Sequence, residues 1–89
     1  MKAIKAKVYG KVQGVWFRKY TKDKAEELGI RGFVRNEPDG TVYVEAEGDP
    51  QALAVFTAWL HEGSPLARVD SVETEPSEVK NYQTFTINK

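Results

Sequence analysis

Gly10-Lys11-Val12-Gln13-Gly14-Val15-Trp16-Phe17-Arg18 is the stretch on which the reading of this chain turns, because two hydrophobic periods meet in it. Upstream, Ile4, Ala6, Val8, Gly10 and Val12 alternate with Lys5, Lys7, Tyr9 and Lys11. That period of two belongs to a strand with one face in a core and the other in water. Downstream of the Gln13-Gly14 break, Phe17, Thr21, Ala25 and Leu28 recur at helical spacing, and Gly29 stands where a left-handed helix stop is expected. The junction therefore predicts a strand, a turn and a short amphipathic helix.

The same alternation resumes from Ile30 to Asn36 and again where Val42, Val44 and Ala46 alternate with Thr41, Tyr43 and Glu45. Between them, Glu37-Pro38-Asp39-Gly40 carries turn chemistry, which predicts a hairpin. Asp49-Pro50 supplies an N-cap and a proline for the first helical position, and Ala52, Val55, Phe56, Trp59 and Leu60 form the next apolar stripe, ending at His61 to Gly63. Two strand-like runs remain, Ala67 to Thr74 and Tyr82 to Ile87, separated by a polar stretch with Pro76 and Asn81. The order of elements predicts an α+β fold of ferredoxin-like βαββαβ topology, an antiparallel sheet of order 4-1-3-2 with two helices on one face.

That topology has a chemical consequence. If the first strand runs up, the first helix descends and the second strand runs up again, so Arg18 and Asn36 meet at the same end of the sheet, although eighteen positions separate them. The loop ahead of Arg18 leads into a helix N-terminus, where unpaired N–H groups and the positive end of the dipole attract anions. A cation in that first turn is disfavoured by roughly 0.3 to 1 kcal/mol unless an anion neutralises it, and guanidinium is well shaped to hold two phosphate oxygens. On spacing alone, an ordinary turn with a solvated arginine fits equally well. Asn36 likewise closes a strand before a turn, a place asparagine takes for backbone reasons, but its amide offers both a donor and an acceptor able to orient a water. The Gly-Lys-Ser/Thr ending of a nucleotide-binding P-loop is missing.

Composition narrows the classes further. Eighty-nine residues support one compact domain, 1–89. Thirteen Lys and Arg against thirteen Asp and Glu leave no general field for nucleic acid or an anionic membrane. The absence of cysteine removes a thiol nucleophile and a thiolate metal site. No apolar run has the length of a signal peptide or membrane span, which predicts a cytoplasmic protein.

Val8-Tyr9-Gly10-Lys11-Val12-Gln13-Gly14-Val15-Trp16-Phe17-Arg18 and Gly32-Phe33-Val34-Arg35-Asn36-Glu37-Pro38-Asp39-Gly40-Thr41-Val42 closely resemble the two signature segments of the acylphosphatases. The resemblance continues through Gly29, Glu47-Gly48 and Gly63-Ser64-Pro65-Leu66-Ala67-Arg68-Val69, and so spans essentially the whole chain. It departs at Trp16, where the family varies, and at Phe33, where tryptophan is also common. The resemblance implies hydrolysis of a small-molecule acyl phosphate without metal or cofactor. It makes Arg18 the phosphate-binding arginine, Asn36 the water-orienting residue, and Gly10, Lys11, Val12, Gln13, Gly14, Val15 and Trp16 the phosphate cradle. A monomer is expected, with no nucleic-acid or membrane partner.

The remaining chemistry-bearing residues take structural expectations. His61 is the only histidine, too few for a multi-histidine metal site, and suits a helix C-terminus. Trp59 fits the helix stripe. Glu26-Glu27 and the acids from Glu45 to Asp49 read as solvated faces, and Lys5, Lys7 and Lys11 as the wet face of a strand. The competing class is a ferredoxin-like module that binds an anion or RNA without catalysis, since this topology serves many functions. Arg31-Gly32-Phe33-Val34 is a faint RNA-binding signature, but it lies on the second strand and lacks the full aromatic set.

Overall fold

In the computed structural model, which describes residues 1–89, the opening alternation becomes β1 (Lys2–Lys11) and the helical spacing becomes α1 (Phe17–Glu27). The hairpin follows as β2 (Arg31–Asn36) and β3 (Val42–Gly48), then α2 (Pro50–Glu62), β4 (Arg68–Ser77) and β5 (Phe85–Asn88). α1 ends in a Schellman motif: Gly29 N–H donates to Glu26 O at 3.2 Å and Ile30 N–H to Ala25 O at 2.8 Å, satisfying carbonyls the helix leaves open. Asp49 caps α2 by accepting from Gln51 N–H at 3.3 Å, with Pro50 at the first helical position.

β1 lies between β3 and β4, antiparallel to both, with Val8 opposite Val42 on one side and Val72 on the other. β2 pairs with β3 from Arg31 opposite Glu47 to Asn36 opposite Val42. The expected 4-1-3-2 order is present, but the wholly antiparallel sheet is corrected: β5 adds a fifth strand parallel to β2, giving the order β4-β1-β3-β2-β5. Parallel pairing requires the chain to cross from one edge of the sheet to the other after β4. The crossing segment, residues 78–84, is fastened by Glu47, whose carboxylate accepts from Lys80 N–H at 2.9 Å and Tyr82 N–H at 3.1 Å. Glu47 is only 1% exposed, so the reading of the acids from Glu45 to Asp49 as solvated is corrected at Glu47, while Asp49 is exposed as expected.

Both helices cover the face of the sheet that carries Val8, Val34, Val42 and Val44, all fully buried. α1 contributes Phe17 and Ala25, and α2 contributes Leu53, Phe56 and Leu60. Phe56 meets the Phe85 ring edge-on with centroids 6.0 Å apart, so β5 is joined to the same core. Truncating such an aromatic to alanine costs about 3 to 5 kcal/mol. Val55, expected in the α2 stripe, is instead exposed, and Leu53 takes the inward position. No helix is long and apolar enough to cross a membrane.

Candidate active site

The turn between β1 and α1 starts from a close backbone approach. A β-bulge between Tyr9 and Gly10 brings Gly10 so near β4 that a Cβ there would lie 2.1 Å from the Arg68 carbonyl oxygen. Glycine is therefore obligatory at the point where β1 turns towards the loop. Further on, Gly14 (φ 73) and Trp16 (φ 66) are left-handed while Val15 between them is not. Alternation of hand turns successive N–H groups to the same side and makes a concavity suited to an anion. For Trp16 that conformation costs about 1 to 2 kcal/mol, the strain of a residue bearing a Cβ in the left-handed region.

Two contacts hold the loop in this shape. Gln13 Nε2 donates to the Glu37 carbonyl at 2.8 Å and the Thr41 carbonyl at 2.9 Å, tying the loop to the hairpin that follows Asn36. On the other side, buried Ser64 donates its Oγ hydrogen to the Val15 carbonyl at 2.6 Å, tying the loop to the connection after α2. The loop is clamped between the hairpin and the end of α2.

α1 begins without a side-chain cap and without an acid in its first turn. Its first backbone bond runs from Tyr20 N–H to Trp16 O at 3.1 Å, leaving the amides of Phe17, Arg18 and Lys19 with no helical acceptor. Arg18 is half-buried in that turn and has no carboxylate within 4 Å, whereas Arg35, next to Asn36 in the chain, pairs with Glu37 at 3.2 Å and stacks over Tyr43 at 4.7 Å. Asn36 carries the one buried side-chain polar atom of the chain that lacks a hydrogen-bond partner, its Oδ1.

A pocket of about 420 Å³ gathers these groups: Val12, Gly14, Trp16, Phe17, Arg18, Lys19, Asn36 and Ile87 line it. The topological expectation that Arg18 and Asn36 meet is met. Of the other cradle residues, Val12, Gly14 and Trp16 reach the pocket. Gly10 and Lys11 belong to β1, Gln13 faces the hairpin, and Val15 is buried with its carbonyl on Ser64. Lys19, Ile87 and Phe17, the last expected only as part of the α1 stripe, join the lining without having been expected there. Lys19 is tied to Asp23 at 3.0 Å. A larger, mostly apolar pocket of about 620 Å³ opens between Met1 to Ile4, the start of α2 and the end of β4, with Lys2 as its only charged side chain. It lies at the opposite end of the sheet from Arg18 and Asn36. His61 sits in the last turn of α2, its Nδ1 3.1 Å from the Thr57 carbonyl, and is not in the lining.

Five strands under two helices, with a basic pocket at one end of the sheet, define a ferredoxin-like α+β protein whose chemistry is directed at a small anion. The chain belongs to the acylphosphatase family, whose model matches residues 4–87. It is 45% identical over 85 residues to an acylphosphatase of a Nocardioides species, covering 96% of this chain and 86% of that one. Among solved structures it is similar to the acylphosphatase of Bacillus subtilis, with a TM-score of 0.97, 32% identity and full coverage of both chains. It is also similar to an acylphosphatase from Coxiella burnetii, with a TM-score of 0.95 and 40% identity over 98% of this chain and 92% of that one.

Proposed function

We propose that this acylphosphatase hydrolyses the carboxyl–phosphate anhydride of acyl phosphates, with Arg18 and the 12–16 loop holding the phosphate and Asn36 orienting the attacking water. The observation that carries the reading is the pairing, in one pocket, of a guanidinium without a carboxylate partner and an amide oxygen without a donor. Arg18 donates to phosphate oxygens, and the open amides of the helix N-terminus spread the remaining charge. Asn36 Oδ1 accepts a hydrogen from water and sets its oxygen in line with the breaking P–O bond. Phosphoryl transfer consists mostly of such positioning and charge stabilisation.

The leaving carboxylate has a conjugate-acid pKa of about 4 and departs without protonation. Neither a general acid nor a metal is demanded, consistent with a lining whose only charged groups are Arg18 and Lys19. An alkyl phosphate, leaving as alkoxide, would need one or the other, so its hydrolysis is expected to be negligible. The enzyme is read as a cytoplasmic monomer. An acyl phosphate bears charge and does not cross a bilayer unaided, so the enzyme must share the compartment in which its substrate forms. The exposed edge strand β4 carries Glu73, Glu75 and Pro76, and β5 at the other edge has only four residues, both devices that discourage edge-to-edge pairing.

The test is benzoyl phosphate hydrolysis in excess chelator by the native chain, Arg18→Ala and Asn36→Ala, with folding checked by circular dichroism. Turnover by the native chain and a loss on the order of 10²-fold or more in each variant is expected. Chelator-sensitive turnover, or variants as active as the native chain, would refute the assignment.

A further inference from the structure

Phosphate chemistry uses the polar groups of the pocket and leaves its apolar ones unexplained. Besides Arg18, Lys19 and Asn36, the lining carries two apolar side chains that the core does not absorb: Trp16, 66% exposed, and Ile87, 40% exposed. They arrive from different elements. Trp16 closes the loop at the head of α1, and Ile87 stands in β5 opposite Val34 of β2. Side chains of one strand alternate between faces, so Asn36, two residues beyond Val34, shares the helix-covered face with Ile87 on the adjacent strand. The other tryptophan, Trp59, packs on Phe17 with ring centroids 5.7 Å apart, whereas the Trp16 indole has no aromatic neighbour. A pocket of about 420 Å³ falls within the range that holds ligands much larger than acetyl phosphate.

We infer that Trp16 and Ile87 form the acyl subsite, receiving the organic group of the substrate between the indole and the aliphatic side chain, and that they select aryl or branched acyl phosphates over acetyl phosphate. The inference rests on the reading of the pocket as the acyl-phosphate site. An acyl phosphate is charged at one end and organic at the other, and the lining has the same division. With the phosphate fixed at Arg18, the acyl group stays within the same pocket, where Trp16 and Ile87 are the exposed apolar side chains. The flat indole suits an aromatic ring.

The experiment compares kcat/KM for benzoyl phosphate and acetyl phosphate in the native chain, Trp16→Ala and Ile87→Ala. Each substitution is expected to lower the benzoyl-to-acetyl ratio by about tenfold, the scale on which an apolar pocket discriminates by one or two lost contacts. If Trp16→Ala does not fold, Trp16→Asn replaces it, because asparagine tolerates the left-handed backbone there. An unchanged ratio in either variant overturns the two-walled subsite while leaving the phosphate site intact. A native chain that hydrolyses neither substrate sinks the parent reading, and the subsite with it.

Discussion

Arg18 and Arg35 are both half-buried, and their partners separate their roles. Arg35 is satisfied by Glu37 and by the Phe33 and Tyr43 rings, while Arg18 has no carboxylate partner. That difference was legible in the sequence only as a conflict, a cation in the first turn of a helix, and the fold leaves the conflict standing: Arg18 has no anionic partner in the pocket it shares with Asn36. Gln13 was grouped with the cradle by resemblance, yet its side chain turns outward from the pocket to the Glu37 and Thr41 carbonyls. No spacing rule reports such a long-range clamp. Replacing Gln13 with Leu removes two hydrogen bonds while each carbonyl keeps its backbone donor, Gly40 N–H on Glu37 O and Glu37 N–H on Thr41 O, so it should destabilise the protein by about 1 to 3 kcal/mol and lower kcat more than it raises KM. Urea unfolding and steady-state kinetics check this; unchanged kcat in a destabilised variant would make Gln13 structural alone.

Among the elements, β1, α1 and the β2–β3 hairpin were readable because each buries one face and exposes the other, so hydrophobic period reported structure directly. The strand character of Tyr82 to Ile87 was readable, but the parallel pairing of β5 with β2 was not. Its position depends on the crossing segment 78–84, which follows a carboxylate on a different strand: Glu47 takes the Lys80 and Tyr82 amides, and Glu45 takes Lys80 Nζ at 2.9 Å and the Tyr82 hydroxyl at 2.8 Å. A glutamate bound for solvent and one bound for buried amides look alike in sequence. Because Ile87 arrives on β5, the apolar side of the pocket was hidden for the same reason. Glu47→Ala should cost at least about 2 kcal/mol, since hydrogen bonds to charged groups are worth about 1.5 to 3 each. Amide hydrogen exchange of β5 should accelerate before that of β1 or β3. Equal protection of all strands in the variant would show that the core contact of Phe85 alone holds β5.

At the scale of the whole molecule, the same network sets the limits of pH stability. Burial alone would raise the Glu45 carboxyl, but hydrogen bonds from Lys80, Tyr43 and Tyr82 outweigh it and hold it at about 2 against an ordinary 4.5. An acid with a depressed folded pKa adds stability above its unfolded value and loses it as pH falls through the folded one, here between 4.5 and about 2. Burial, followed by the bond to Glu45, pushes Tyr43 and Tyr82 up to about 12 from 10.0. Their contribution is complete below 10.0 and lost as pH rises towards about 12. Asp39, bonded to Thr41 and Lys7, is also lowered to about 2 and adds to the acid limb. Melting temperature should therefore show a plateau between about pH 5 and 10 with falls on both sides, the acid fall shallower in Glu45→Gln. A native chain whose acid limb matches that of the variant would contradict the network. The central claim, that Arg18 binds and Asn36 activates, is tested most directly by titrating the native chain, Arg18→Ala and Asn36→Ala with inorganic phosphate in a calorimeter. Arg18→Ala is expected to lose phosphate binding, whereas Asn36→Ala should keep it and lose kcat. Phosphate binding that survives in Arg18→Ala, or disappears in a folded Asn36→Ala, would contradict the claim.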